Sequence, residues 1–277
     1  MLSINVTTTS QRLSLCRITL TSLLLQTTLP DKINLWVSEG AYLRDKGISN
    51  NDSITSLIES LPSQGRDLIC IRWVANTGPY RKLIPVLRES GPNDLIITAD
   101  DDIFYGENWL QGLLAVYGKG GGVVAAARVR LEKINFLGRK TSYIFWDLIN
   151  ENVTLEKGFI VTFGGGVVLT RSMFREEDIS SDEYLKLAPT SDDLWYSKLL
   201  KLNNNIVFVA PDLQKELNFI EHSDGLVNHN ILLANSIASK IKAKIWDKVL
   251  GFLGFPVCGN DAAYLKVERY FDQAINK

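Results

Sequence analysis

An apolar run of strand length, Leu95-Ile96-Ile97-Thr98-Ala99, ends without transition in three consecutive carboxylates, Asp100-Asp101-Asp102; Ile103-Phe104-Tyr105 then turns apolar again before Gly106. A run of this length and composition reads as a strand buried in a sheet. Neighbouring carboxylates repel each other and resist desolvation, so the end of that strand must face a cation or many hydrogen-bond donors. A divalent metal meets the demand most simply, because Mg²⁺ and Mn²⁺ take oxygen ligands and bridge one or two carboxylates to substrate phosphates. The competing reading is an acidic cap on the following helix, for which one Asp would serve.

The chain around this stretch alternates strands with helices. Residues 2–9 read as a strand running out into Thr7-Thr8-Thr9-Ser10-Gln11-Arg12, and Leu13 to Gln26 has helical apolar spacing. A second strand spans Lys32 to Ser38, with a helix over 52–61 ended by Pro62. Leu68 to Val74 is a third strand, and a short helix over Tyr80 to Glu89 follows the turn signal Asn76-Thr77-Gly78-Pro79. This alternation predicts a mostly parallel sheet covered on both faces, with ligands at the carboxyl ends of its strands. The polar clusters fall at those ends.

Beyond a helix at 107–117 and a glycine break, Val123 to Val129 reads as a strand. Leu131 to Lys157 has no clean period and reads as a loop and β-ribbon insertion able to shape an acceptor site. Phe159 to Thr170 is strand, glycine break and strand, in which Gly164-Gly165-Gly166 either lets backbone approach a ligand or bulges a core strand. Pro189 to Leu200 opens with capping residues and continues as a helix, with Asp192 and Asp193 in its first turn. There they complement the helix dipole, or one serves as a general base. Ile206 to Ala210 is expected to be the last strand, and 226–277 to be mainly helical. The basic, aromatic stretch from Lys240 to Phe255 suits either a membrane surface or a helix packed on its own domain.

Composition narrows the function classes. With 277 residues, 45% hydrophobic and 22% charged, the chain can bury the core of one large or two small domains. Lys and Arg number 30 against 31 Asp and Glu, which gives no support for a broad nucleic-acid-binding surface. Cys16, Cys70 and Cys258 lie far apart without a paired spacing, suggesting neither a zinc knuckle nor a disulfide framework. No basic leader and no apolar run of about 20 residues is present. The expectation is a cytoplasmic protein, with peripheral contact at the inner face of the membrane left open for the C-terminal helices.

Taken in order, Thr7 to Arg12, Asn76-Thr77-Gly78-Pro79-Tyr80-Arg81-Lys82, Asp100-Asp101-Asp102, Gly164-Gly165-Gly166 and Thr190-Ser191-Asp192-Asp193-Leu194-Trp195 resemble the GT-A fold glycosyltransferases over roughly residues 2–210. The likeness is to the family-2-like bacterial enzymes that build surface polysaccharides. It implies an α/β fold: a Rossmann-like, mostly parallel sheet with helices on both faces, a mixed acceptor-side half and C-terminal helices. Residues 1–129 would bind the nucleotide sugar, 130–225 the acceptor, and 226–277 would form a helical segment of one compact domain.

The resemblance further implies metal-dependent transfer from a nucleotide-diphosphate sugar, UDP by default, to a glycan or lipid-linked saccharide. Thr8 and Arg12 match the loop that contacts nucleobase or ribose. Asn76 and Lys82 belong to the turn near the nucleotide and its phosphates. Asp100 matches the position facing the ribose, Asp102 the ligand of Mn²⁺ or Mg²⁺, and Asp101 is ambiguous between the two. One of Asp192 and Asp193, with Asp193 preferred, matches the base of inverting members, and His222, in competition with His229, is a candidate further metal ligand. Trp109, Trp146 and Trp195 are either sugar-stacking or core residues. The rival readings are a haloacid dehalogenase-type phosphohydrolase and a non-catalytic sugar-binding module of the same fold.

Overall fold

The computed structural model describes residues 1–221 and 246–275. Along the chain run Leu2–Thr7 (β1), Leu13–Leu24 (α1), Lys32–Val37 (β2), Asn51–Glu59 (α2), Ile69–Trp73 (β3), Ile84–Glu89 (α3) and Leu95–Asp100 (β4). Then follow Ile103–Tyr105 (β5), Trp109–Lys119 (α4), Val124–Ala126 (β6), Val129–Leu131 (β7), Val153–Leu155 (β8), Phe159–Val161 (β9) and Val167–Leu169 (β10). The remainder comprises Glu176–Ser180 (α5), Tyr184–Leu187 (α6), Asp192–Leu202 (α7), Val207–Val209 (β11), Leu217–Phe219 (β12), helical residues 246–252 (α8) and Gly259–Ile275 (α9).

Eight strands form one sheet in the order β3-β2-β1-β4-β10-β6-β11-β8. Six share one direction, while β10 runs against β4 and β6, and β8 against β11. The sheet is mixed and mostly parallel, with helices over both faces, and this is the GT-A-like α/β architecture. Strand alternation divides its core in two. On β4, Ile97 and Ala99 pack with Leu20, Leu23 and Trp109, whereas Ile96 packs on the other face with Leu83, Leu87 and Trp195.

The structure differs from the sequence reading where segments are short. The helix expected over Tyr80 to Glu89 is a 3₁₀ turn, Gly78–Lys82, followed by α3. Pro85 accounts for the break, since its ring clashes with the carbonyl four residues back and it tolerates only a first-turn position. The single strand expected over Val123 to Val129 splits into β6 in the main sheet and β7, which pairs with β9. Part of the expected 131–157 insertion, β8, joins the main sheet. Ile206 to Ala210 is not the last strand: β12 follows and pairs antiparallel with β5. Trp109, Trp146 and Trp195 are all buried, at 0%, 2% and 0% exposure, so none presents a face for a sugar.

Helix α9 packs on α7, with the Phe271 and Trp195 rings 5.2 Å apart and Lys198 2.8 Å from Glu268. It therefore packs one face, Ala263, Tyr264, Val267 and Phe271, on its own domain and exposes the other. Among the described residues no helix is long and apolar enough to cross a membrane. His222, His229 and the lysines Lys240, Lys242 and Lys244 lie outside the described residues.

Candidate active site

The carboxyl ends of β1 and β4, the turn after β3 and the start of α7 meet around a cleft of about 860 Å³. Strand β4 carries Asp100 at its tip, and Asp101 and Asp102 form the turn into β5. Asp101 is buried. It accepts a hydrogen bond from Thr8 Oγ1 at 2.6 Å and pairs with Arg12 Nη2 at 2.8 Å. The same Arg12 nitrogen lies 2.5 Å from Asp102 Oδ2. Burial pushes the Asp101 carboxyl up to about 6, with Arg12 opposing and Asp102 adding to the rise.

Lys82 joins the two acidic clusters. Its ammonium, 4% exposed, lies 2.7 Å from Asp100 Oδ1 and 3.1 Å from Asp192 Oδ2. Burial disfavours that charge, yet Asp100 and Asp192 outweigh it and hold the lysine well above its usual range. Asp193, next along α7, accepts the Phe163 N–H at 2.9 Å through Oδ1. Burial raises the carboxyls of both Asp192 and Asp193, and Lys82 works against the rise in each. Five carboxylates thus converge, and Arg12 and Lys82 each clamp two of them.

The glycine triplet approaches a protein side chain. A β-carbon on Gly164 would stand 1.9 Å from Asp100 Oδ2, so the absence of a side chain is what lets the Asp100 carboxylate lie there. Tyr105 fixes the same contact: its hydroxyl donates to Gly164 O at 2.6 Å and accepts from the Asp100 N–H at 2.8 Å.

The turn after β3 is built differently from the sequence expectation. Asn76 does not line the cleft. Its Nδ2 donates to Asp45 Oδ2 at 2.9 Å and to Gly40 O at 2.7 Å, and its Oδ1 accepts from the Gly78 N–H at 3.1 Å. The neighbouring Arg81 does line the cleft, 1% exposed, with Nη2 2.9 Å from Asp45 Oδ2 and donating to Thr8 O at 3.1 Å. Its Nη1 is buried without a hydrogen-bond partner among the described residues. Asp45, Arg81, Tyr105, Arg130, Tyr143 and Asn260 complete the surroundings. Arg81 and Tyr105 sit within the glycine turn and the acidic stretch already singled out in the sequence, whereas no local pattern marks Asp45, Arg130, Tyr143 and Asn260, which reach the site from segments distant in sequence. Arg130 donates to Trp146 O at 2.7 Å and has its guanidinium 5.3 Å from the centre of the Tyr143 ring.

Among the described residues no group of three or more His, Cys, Asp or Glu side chains is arranged to hold a metal ion. An octahedral ion that retains water and binds substrate phosphates requires only one or two carboxylates. Asp100 and Asp102 offer these, with side chains 39% and 25% exposed. The donor set fits an ion arriving with a diphosphate and does not fit an all-protein cage.

No protein-family model and no curated protein sequence matches the chain. Solved structures do. The crystal structure of S. aureus TarS 1–349 in complex with UDP-GlcNAc aligns over 90% of this chain and 66% of that one, with TM-score 0.54 and 16% identity. A crystal structure of S. aureus TarS aligns over 91% of this chain and 44% of that one, with TM-score 0.52 and 18% identity. The chain spans 44% to 66% of the length of the TarS chains it matches. At this identity the likeness establishes the fold.

Proposed function

We propose that the protein transfers a sugar from a nucleoside-diphosphate donor, UDP-linked by preference, to a hydroxyl of a glycan or lipid-linked saccharide. The observation that carries the reading is Lys82 bridging Asp100 and Asp192 on the floor of the cleft, which sets a donor-side acidic triplet against an acceptor-side pair. In this assignment Thr8, Arg12, Asp100, Asp101 and Lys82 form the nucleotide side, and Asn76 acts only indirectly, through its hydrogen bonds to Asp45 and to the Gly78 N–H. Asp102 holds Mn²⁺ or Mg²⁺, which neutralises charge on the departing diphosphate when bound.

Asp193 is the base, because its carboxylate is raised toward the range suited to proton uptake while Asp192 is engaged with Lys82. The acceptor oxygen attacks the anomeric carbon, the bond to the β-phosphate oxygen breaks with its electrons, and the hydroxyl proton passes to Asp193. The sugar carbon inverts in this single displacement.

Two variants test the assignment. Asp102→Asn is expected to weaken Mn²⁺-supported UDP binding at least about tenfold in calorimetry, the scale of a lost charge-assisted ligand. Asp193→Asn is expected to retain UDP binding and lose at least about 100-fold in transfer, as removal of a general base does. Unchanged affinity in the first, or full transfer in the second, overturns the corresponding role. Metal-dependent release of phosphate from simple phosphomonoesters instead would move the reading to a phosphohydrolase.

A further inference from the structure

On the side of the cleft that holds Asp192 and Asp193, the wall is made by two segments that meet only in the folded chain. The loop between β7 and β8 contributes Tyr143 and Ile144, from a 3₁₀ turn over Tyr143–Phe145. The start of α9 contributes Asn260, and the residue before the helix, Cys258, lines the cleft as well. This wall stands beside the base: burial first, and then the charge of Asp193, raise the Tyr143 phenol above its usual range. Asn260 is tied to the same helix start, since its Oδ1 accepts from Ser191 Oγ at 2.8 Å.

One buried carboxylate joins the two segments. Asp261, 7% exposed in the first turn of α9, accepts the Tyr143 N–H at 2.7 Å through Oδ1. Its Oδ2 accepts from Ser142 Oγ at 2.6 Å and from the N–H groups of Val257 and Cys258 at 2.8 and 3.1 Å. Ser142 Oγ in turn accepts the Ile144 N–H at 3.4 Å, so the turn that bears Tyr143 and Ile144 is capped by the hydroxyl that Asp261 holds. Bonds from a first-turn carboxylate back to residues just before its own helix are ordinary capping. The bonds to residues 142 and 143 reach 119 and 118 positions along the chain, and capping does not require them. A buried donor left unmet costs its desolvation, so four donors on one carboxylate fix both segments to it.

We infer that Asp261 is a positioning residue for the acceptor: it pins the 142–144 segment to the start of α9 and so fixes the wall along which the acceptor hydroxyl approaches Asp193. The role rests on the transfer reaction proposed above. Asp261 does not line the cleft, and it moves no proton.

Asp261→Asn keeps the volume and one accepting oxygen but turns an amide N–H₂ toward donors. With a UDP-sugar donor and a soluble methyl glycoside as acceptor, it is expected to raise the acceptor KM at least about tenfold. The kcat, its acid limb and UDP affinity are expected to stay unchanged, because the base and the nucleotide side keep their partners. Ser142→Ala removes one donor of the four and should raise the same KM by less. A readout without activity is maleimide labelling of the Cys258 thiol, which should quicken at least about threefold in Asp261→Asn relative to Cys70 in the same molecule.

An unchanged acceptor KM overturns the inference, whatever the labelling rates, and so does a raised KM with unchanged labelling. A raised KM with an equal loss of UDP affinity also overturns it, since Asp261 would then support the whole cleft rather than one wall. Failure of the reaction itself reads differently: the unsubstituted protein then transfers no sugar, while the Cys258 and Cys70 rates still report whether Asp261 pins the wall.

Discussion

Asp192 and Asp193 are sequence neighbours on α7 with different partners, a lysine ammonium for one and a backbone N–H for the other. That difference makes a pH prediction with a definite sign. Burial and the adjacent Asp192 raise the Asp193 carboxyl, so a base at this position loses its negative charge at a higher pH than an ordinary carboxylate. Transfer should then fall as pH drops through that raised value. Asp192→Asn removes the negative neighbour and releases Lys82, both of which favour ionised Asp193, and the acid limb of kcat should move to lower pH. Lys82→Met removes the opposing cation and should move it to higher pH. Profiles of kcat against pH for the three proteins check the order, and shifts in the opposite directions would remove Asp193 from the role. At this scale the sequence displays both acidic clusters, because their members are adjacent. It does not display that Lys82 ties them together, or that Arg81 rather than Asn76 lines the cleft, since both facts depend on how the turn after β3 folds against β1.

Among the elements, the glycine turn before β10 decides whether the donor-side carboxylates hold their arrangement. A methyl group at residue 164 cannot coexist with Asp100 Oδ2 1.9 Å away, so Gly164→Ala must turn the Asp100 carboxylate off and leave Lys82 with one of its two partners. The expected outcome is a loss of about 1 to 3 kcal/mol in stability, as for overpacking, together with weakened UDP binding. Gly118→Ala is the control: nothing lies within 4 Å of its added carbon, it sits inside α4, and it should stabilise by about 0.5 to 1 kcal/mol. Urea titrations and calorimetry of the two variants separate local crowding from glycine loss in general. The sequence marks the triplet as a backbone device but cannot name what approaches it. The partner is 64 residues away along the chain and is brought there by the pairing of β10 with β4. The β5–β12 ribbon escapes sequence reading for a related reason, because three-residue strands are too short to show a period.

Across the whole molecule, the cleft depends on both cores at once. Ile96 and Ile97 are consecutive on β4 and belong to opposite faces of the sheet, and the same strand ends in Asp100. Helix α9 closes one of those cores and also reaches the site, where Asn260 Oδ1 accepts from Ser191 Oγ at 2.8 Å, immediately before Asp192. Its buried positions Ala263, Tyr264, Val267 and Phe271 follow a helical stripe that the sequence displays, whereas the surface it covers is set by α7. Phe271, 4% exposed against Trp195, is the residue at which this coupling can be measured. Phe271→Ala should cost about 3 to 5 kcal/mol by removing buried ring area and leaving a cavity. Because the shared sheet links the cores, tryptophan fluorescence and UDP binding should be lost in one urea transition at a lower midpoint, with the slope unchanged. If instead the helix signal fell first while UDP binding persisted at its original midpoint, α9 would be an independently fraying cover, and the cleft would rest on the sheet and α7 alone.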